Sequence, residues 1–352
     1  MRLALIIGFI AQCALLQAST LIDGLYYDLD MATRTATVTY EKKGMDNYAS
    51  LPANVKIPES VEYNGVSFSV TKVANYAFAN CQSLESISIP GTVVQIGGTY
   101  NSTDYGARLP FYNCTALKSV RFEDGEKGLV LGSNDLGLFS YCPLEEVYIG
   151  RNISYQDLYS TFENAPGDYG YSAFYNQPKL TKVTISPAVT EIPAYLFYKC
   201  SALNNVSIQG QLVEIPMYSF SGCNISALTL PNSVKNISEY AFNSNTVMTS
   251  AVLGDNVKSI GNYAFSGCSS LMNLDLGSSL VTIGDYAFES MGRYVNTGLN
   301  VVFPNTLSTI GEYAFKASSV SSITIPNSVT KIGKFCFTEN TKLEKITIGN
   351  GC

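Results

Sequence analysis

A short aromatic fragment returns along this chain at a nearly fixed interval, and that regularity restricts the fold more than any other property of the sequence. Tyr76-Ala77-Phe78, Tyr240-Ala241-Phe242, Tyr263-Ala264-Phe265, Tyr286-Ala287-Phe288 and Tyr313-Ala314-Phe315 are its clearest copies. Looser copies carry Phe111, Phe139, Phe174, Phe197, Phe220 and Phe337. The eleven Phe follow one another at 33, 28, 35, 23, 23, 22, 23, 23, 27 and 22 residues, which sets a unit of about 23 residues with longer insertions in the first half. Such a unit is too short to bury its own apolar face, so it must stack on its neighbours.

The order within a unit is constant. In one copy Leu271-Met272-Asn273-Leu274-Asp275-Leu276 alternates as a strand does, Val281-Thr282-Ile283-Gly284 gives a second short strand, and Asp285 to Met291 carries a helical-turn segment. Pro90, Pro231, Pro304 and Pro326 end the first strand in other copies by removing a ladder donor. Matching Leu, Ile, Val and Phe then fall above one another at the strand spacing of roughly 4.8 Å.

The run Ile325-Pro326-Asn327-Ser328-Val329-Thr330-Lys331-Ile332-Gly333 and the run from Tyr263 to Leu271 resemble the BspA-type leucine-rich repeat, known from surface proteins of Bacteroides-like bacteria and some protists. The resemblance covers residues 74–352. It implies a mostly β member of the α/β solenoids: a right-handed superhelix of about 11 repeats, with parallel strands on the concave face and short helices or turns opposite. A parallel β-helix fits the period too, but the Ala-Phe-x-x-Cys-x-x-Leu stretch has apolar spacings of three to four, which are helical.

The start of the chain is different. Met1 and Arg2, the apolar run Leu3 to Leu16 and the small residues at Ala18 and Ser19 read as a signal peptide over residues 1–18. The run is shorter than the roughly 20 residues of a spanning helix, and a lipoprotein reading through Cys13 meets the bulky Gln12. Residues 19–73 read as a small β cap: Leu25 to Leu29 and Thr35 to Tyr40 as paired strands, and Asn64-Gly65 as the turn of a hairpin. At the other end Ile346 to Cys352 begins a twelfth unit and stops part-way. That points to a fragment of a longer product, a short family variant, or an edge covered by another chain.

Composition narrows the chemistry. The 352 residues contain no His, which removes Ser-His-Asp triads, Cys-His dyads and His-ligated zinc. Lys and Arg number 22 against 28 Asp and Glu, with no basic block, so nucleic acid is not an expected partner. An enzyme would have to rely on carboxylates. Glu85, Glu145, Glu146, Asp275 and Glu344 lie on or beside first strands, where a pair about 5 to 9 Å apart would suit glycoside hydrolysis. No two fall on clearly neighbouring coils with a completing Tyr, Lys or Arg, and the expectation is a non-enzyme without metal or cofactor. Asp28-Leu29-Asp30 and Glu123-Asp124-Gly125 lack the rest of a calcium loop.

Cys81, Cys114, Cys142, Cys200, Cys223 and Cys268 all stand three residues after the repeat Phe, where other copies place Gln177, Asn245, Met291, Ser318 and Asn340. Exchange of Cys with Asn and Ser marks an inward turn position that meets backbone groups, so these are expected as buried structural thiols and not a disulfide framework.

The outward residues at the first-strand centres are Ser88, Arg121, Tyr148, Thr184, Ser207, Thr229, Val252, Asp275, Val302, Thr324 and Thr347. Most are Ser or Thr, which select no ligand. Arg121 and Tyr148 break the pattern, and the insertions nearby bring Tyr100, Tyr105, Tyr155, Tyr159, Tyr169 and Tyr171. Tyr supplies contact area with a polar tip, the chemistry of recognition loops, although it equally serves to pack an insertion onto its scaffold. The expected protein is an exported or cell-surface recognition scaffold with a protein partner, or a glycan. The resemblance implies adhesion to host matrix proteins such as fibronectin and fibrinogen, or to other microbes. A carboxylate-based carbohydrate-active enzyme is the alternative.

Overall fold

The computed structural model describes residues 19–41, 48, 51–98, 109–132, 137–155 and 172–351. The alternating first strands pair in register and in parallel from coil to coil. Asn54–Lys56, Ser86–Ile89, Ser119–Phe122, Glu146–Ile149, Lys182–Ile185 and Asn205–Ile208 form one six-stranded sheet. Two three-stranded sheets continue the series, Ala227–Thr229 to Asn273–Asp275 and Leu299–Val302 to Lys345–Ile348. In most of these strands the inward positions are apolar and the outward ones polar, as in Ser86–Ile89, where Ile87 and Ile89 are buried, while Val252 and Val302 are apolar residues at outward positions.

Breaks in this series follow changes in copy length. Ile225 lies two residues after Cys223 whereas Leu271 lies three after Cys268, and it is there that the first sheet gives way to the second. The second break meets the longer copy between Phe288 and Phe315.

Second strands make their own ladders. Gln95–Ile96, Leu129–Leu131 and Ile153–Tyr155 extend a sheet that begins in the N-terminal segment, and six two-residue strands from Glu214–Ile215 to Lys331–Ile332 form another. Between the two, the side chain of Asn152 takes over the bridging: its Oδ1 accepts from Thr190 N–H at 2.8 Å and Glu191 N–H at 3.3 Å, and its Nδ2 donates to Thr190 Oγ1 at 2.8 Å. The Gly that ends these strands is needed for close stacking. A Cβ on Gly284 would lie 2.7 Å from the backbone N of Asn262 and the carbonyl C of Gly261 in the preceding coil.

Opposite the strands run turns; among the described residues there is no α-helix. Positive φ explains this. The residue two after the repeat Phe is left-handed in all eleven copies, and in most the residue two before it is as well, as with Tyr263 at 54° and Gly267 at 75°. Left-handed residues on both sides of the Phe stop the turn from propagating as a helix. The three-residue apolar spacing therefore arises from consecutive turns, such as Cys268 N–H to Phe265 O at 3.2 Å and Leu271 N–H to Cys268 O at 3.1 Å. In these turns Tyr263, Phe265 and Gly267 donate their N–H groups to the next coil, at Asp285, Ala287 and Glu289, over 2.9, 2.8 and 2.9 Å. On the second strand Thr282 and Gly284 donate to the previous coil, at Lys258 and Ile260, over 3.1 and 2.8 Å.

Two aromatic columns run along the stack. The eleven repeat Phe lie ring over ring at 4.9 to 5.7 Å in the core. A second, half-buried column joins Tyr195, Tyr218, Tyr240, Tyr263, Tyr286, Tyr313 and Phe335 at 4.5 to 5.2 Å. It occupies only the later half of the chain.

In the N-terminal segment Leu25–Asp30 pairs antiparallel with Thr35–Val38, and Ser60–Tyr63 with Val66–Val73 across Asn64 and Gly65, both at positive φ. The stacked parallel ladders already take in Asn54–Lys56 and the end of Val66–Val73. Residues 1–18, the expected signal peptide, lie outside the described residues. Among the described residues no helix is long and apolar enough to cross a membrane.

Candidate functional site

The six-stranded sheet aligns Lys56, Ser88, Arg121, Tyr148, Thr184 and Ser207 in one outward row, because register in a parallel stack is set by the buried residues on either side. Arg121 and Tyr148 are therefore direct neighbours. The guanidinium lies 3.6 Å above the centroid of the Tyr148 ring. The phenol hydroxyl donates to Asp124, 3.0 and 3.2 Å from its two carboxylate oxygens, and Ser186 Oγ donates to Asp124 Oδ1 at 2.7 Å. Beside them Ser88 Oγ donates to Glu123 Oε1 at 2.7 Å, and Lys56 Nζ stands 3.5 Å from the same oxygen.

Two further ion pairs cross this sheet: Lys118 with Glu145 at 3.6 Å and Lys182 with Glu146 at 2.6 Å. Arg121 is exposed, and among the described residues no carboxylate pairs with it and no group accepts a hydrogen bond from it. Its five N–H donors belong to a planar group that lies over the Tyr148 ring on an exposed part of the sheet.

The loop that carries Glu123 and Asp124 rests on a buried cation. Arg151 is 1% exposed and reaches across two coils, donating from Nη1 to Gly91 O at 2.6 Å and from Nη2 to Pro90 O at 2.9 Å. A Cβ on Gly125 would lie 2.9 Å from Gly91 Cα and 3.4 Å from Arg151 Cδ, and the approach to the Gly91 backbone is what requires glycine in the middle coil. Burial pulls the guanidinium pKa down to about 10, against the opposing pull of Glu123. Next to this loop Asp124, Gly125, Glu126, Gly128, Asn152 and Ala188 line an open cleft of about 510 Å³.

The remaining sequence candidates fall as follows. Tyr155 packs its ring against the core, and its hydroxyl accepts from Ala173 N–H at 3.4 Å; burial raises its pKa above the usual phenol range. That is the packing arrangement for this insertion residue. Tyr100, Tyr105, Tyr159, Tyr169 and Tyr171 lie outside the described residues. Glu145 and Glu146 each hold a lysine, and Asp275 Oδ1 accepts from Gly277 N–H at 3.0 Å within its own turn. Asp124, considered for calcium, holds Tyr148 and Ser186 instead.

The cysteines form a column of donors. Cys114, Cys142, Cys200, Cys223 and Cys268 each point Sγ at the carbonyl of the repeat Phe one coil earlier, at 3.0, 3.0, 3.0, 3.3 and 3.5 Å. Gln177, Asn245, Ser318 and Asn340 do the same with N–H or O–H donors at 3.0, 2.8, 2.7 and 2.7 Å. Cys81 and Cys336 are buried too, and all seven described cysteines are free thiols. Desolvation pushes Cys200, Cys268 and Cys336 up to about 12.

Sequence reasoning reached Arg121 and Tyr148 by their register position. It did not reach the support given by Ser186 and Arg151. Ser186 is 62 residues from Asp124, and Arg151 follows Gly150 in a stretch whose pattern gives no sign of a buried charge.

No curated protein matches the chain. Among solved structures, a leucine-rich repeat protein from Bacteroides ovatus is similar, at 22% identity over 93% of this chain and 94% of that one, with a TM-score of 0.44. A leucine rich cell surface protein from Faecalibacterium prausnitzii is 19% identical over 94% of each chain, with a TM-score of 0.41. The pneumococcal vaccine antigen PcpA is 16% identical over 94% of this chain and 87% of that one, with a TM-score of 0.36. The sequence model of the BspA type leucine rich repeat region matches residues 53–165, 168–295 and 294–352. With that match over most of its length, and with the stacked turns and parallel strands just described, the chain belongs to the BspA type leucine rich repeat family.

Proposed function

We propose that this repeat scaffold is exported and recognises an extracellular macromolecule, acting as an adhesin through the first-strand face of its N-terminal half. The observation that carries the reading is the Arg121–Tyr148 stack, held from below by Asp124 and Ser186, in a row otherwise made mostly of Ser and Thr. An exposed guanidinium already ordered in this way loses little side-chain freedom on meeting a partner. Arg and Tyr are the side chains most often found to dominate binding when placed at the centre of an interface. The tyrosines of the insertions, Tyr100, Tyr105, Tyr159, Tyr169 and Tyr171, would add contact area around it.

Solid-phase binding to a panel of extracellular matrix proteins and a glycan array tests this. The double variant Arg121→Glu/Tyr148→Ala should lose about tenfold or more in affinity for whatever the unaltered protein binds. A chain lacking residues 156–171, which leaves the paired strand Ile153–Tyr155 in place, should also bind more weakly. Binding that is unchanged in both variants rejects the reading.

A further inference from the structure

We propose that the Arg121 guanidinium receives a side-chain carboxylate from a polypeptide partner, and that a basic side chain of the same segment enters the cleft beside Asp124 and Glu126. This rests on the recognition reading above and states its chemistry.

A guanidinium lying flat on a ring keeps its N–H edge free, and a planar fork of donors matches the two oxygens of a carboxylate. The Arg121 guanidinium is 3.6 Å over the ring centroid, exposed, and without a hydrogen-bond or ion-pair partner among the described residues. At the hydroxyl end of the same tyrosine, Asp124 accepts the phenol proton's hydrogen bond and lines the cleft together with Glu126. Tyr148 therefore separates a cationic pole from an anionic one and holds both in place. A rigid pair of opposite poles selects a ligand that presents both charges at a matching separation.

A polypeptide meets this requirement with one acidic and one basic side chain. A polyanionic glycan fits less well, because its repeated negative charges would face Glu123, Asp124 and Glu126 on a chain whose net charge is already -6. Asp124 is already engaged by the Tyr148 and Ser186 hydroxyls, which holds its carboxylate in place against such a ligand.

Panning a phage-displayed library of random short peptides on the intact protein tests the proposal. The enriched peptides should carry Asp or Glu together with Lys or Arg. The best of them, synthesised, should bind Arg121→Gln about tenfold or more weakly, the loss expected for one bidentate charged contact. Binding to Asp124→Asn should weaken when the peptide is unaltered and should not weaken further when its basic residue is replaced by Gln. Both positions are exposed, so each variant should melt like the parent.

Enrichment of peptides without a carboxylate, undiminished binding to Arg121→Gln, or no enrichment over a blank surface would each overturn the proposal. Arg121-dependent binding to uronate or sulfated glycans without peptide enrichment would also overturn it, while leaving the recognition face intact. That face fails separately, by the double variant above.

Discussion

Asn245 makes three buried hydrogen bonds from one side chain: Nδ2 to Phe220 O at 2.8 Å and to Phe242 O at 2.9 Å, and Oδ1 from Ile225 N–H at 3.1 Å. Asn245→Ala strands all three partners away from water and should cost about 3 kcal/mol, read as a lower denaturant midpoint. Asn245→Cys keeps one donor toward Phe220, as the sister copies do, and should cost less. The thiols of this column carry a pH signature. Cys200, Cys268 and Cys336 ionise near 12 in the fold against about 9 when exposed. The unfolded chain therefore loses these protons first as pH rises, so their contribution is complete below about pH 9 and disappears between about 9 and 12. Denaturant midpoints taken at pH 7, 9 and 10 should fall only at the upper end, and Cys200→Ser should flatten the fall. Thiol reagents at neutral pH should leave all seven described cysteines unmodified until the chain is unfolded.

At the level of the element, the tyrosine column combines strain with contact. Tyr263 sits at φ 54° between Tyr240 and Tyr286, each 4.7 Å away. Two stacks of about 0.5 to 1.5 kcal/mol each offset a left-handed cost of about 1 to 2 kcal/mol. Tyr263→Gly removes both terms while Tyr263→Ala removes only the stacks, so thermal unfolding should rank Gly above Ala by about 1 kcal/mol, the reverse of the order in a helix or strand. Equal or inverted ranking would show that the turn does not impose this φ. The recurring Tyr was plain in the sequence, but its conformation was not, since a left-handed Tyr is disfavoured on its own and is stabilised only by the coils around it. Register shows the same limit. Alternation within Ser119–Phe122 and Glu146–Ile149 was enough to set Arg121 beside Tyr148. Asp124, Ser186 and Arg151 lie in loops, where no period exists to align them, and only the finished stack brings them together.

For the whole molecule, the ladders are interrupted at staggered places. The second-strand series lapses between Ile153–Tyr155 and Glu214–Ile215, and the first-strand series between Asn205–Ile208 and Ala227–Thr229. The Phe column spans both gaps. Stability in such stacks is passed from neighbour to neighbour and attenuates where an interface is weaker. Asn245→Ala should accordingly raise amide hydrogen exchange across the later coils while Ser119–Phe122 keeps its protection. Uniform acceleration along the chain would mean that the gaps transmit as well as the ladders.

The opposed directions of inter-coil bonding have an electrostatic consequence. Turn N–H groups point toward later coils and second-strand N–H groups toward earlier ones. Peptide dipoles on the two edges therefore run antiparallel along the long axis. An α-helix sums its dipoles into partial charges at its two ends, whereas here the axial sum largely cancels. Neither end of the rod therefore gathers a net backbone charge of one sign, and the long-range field a ligand meets is set mainly by side chains.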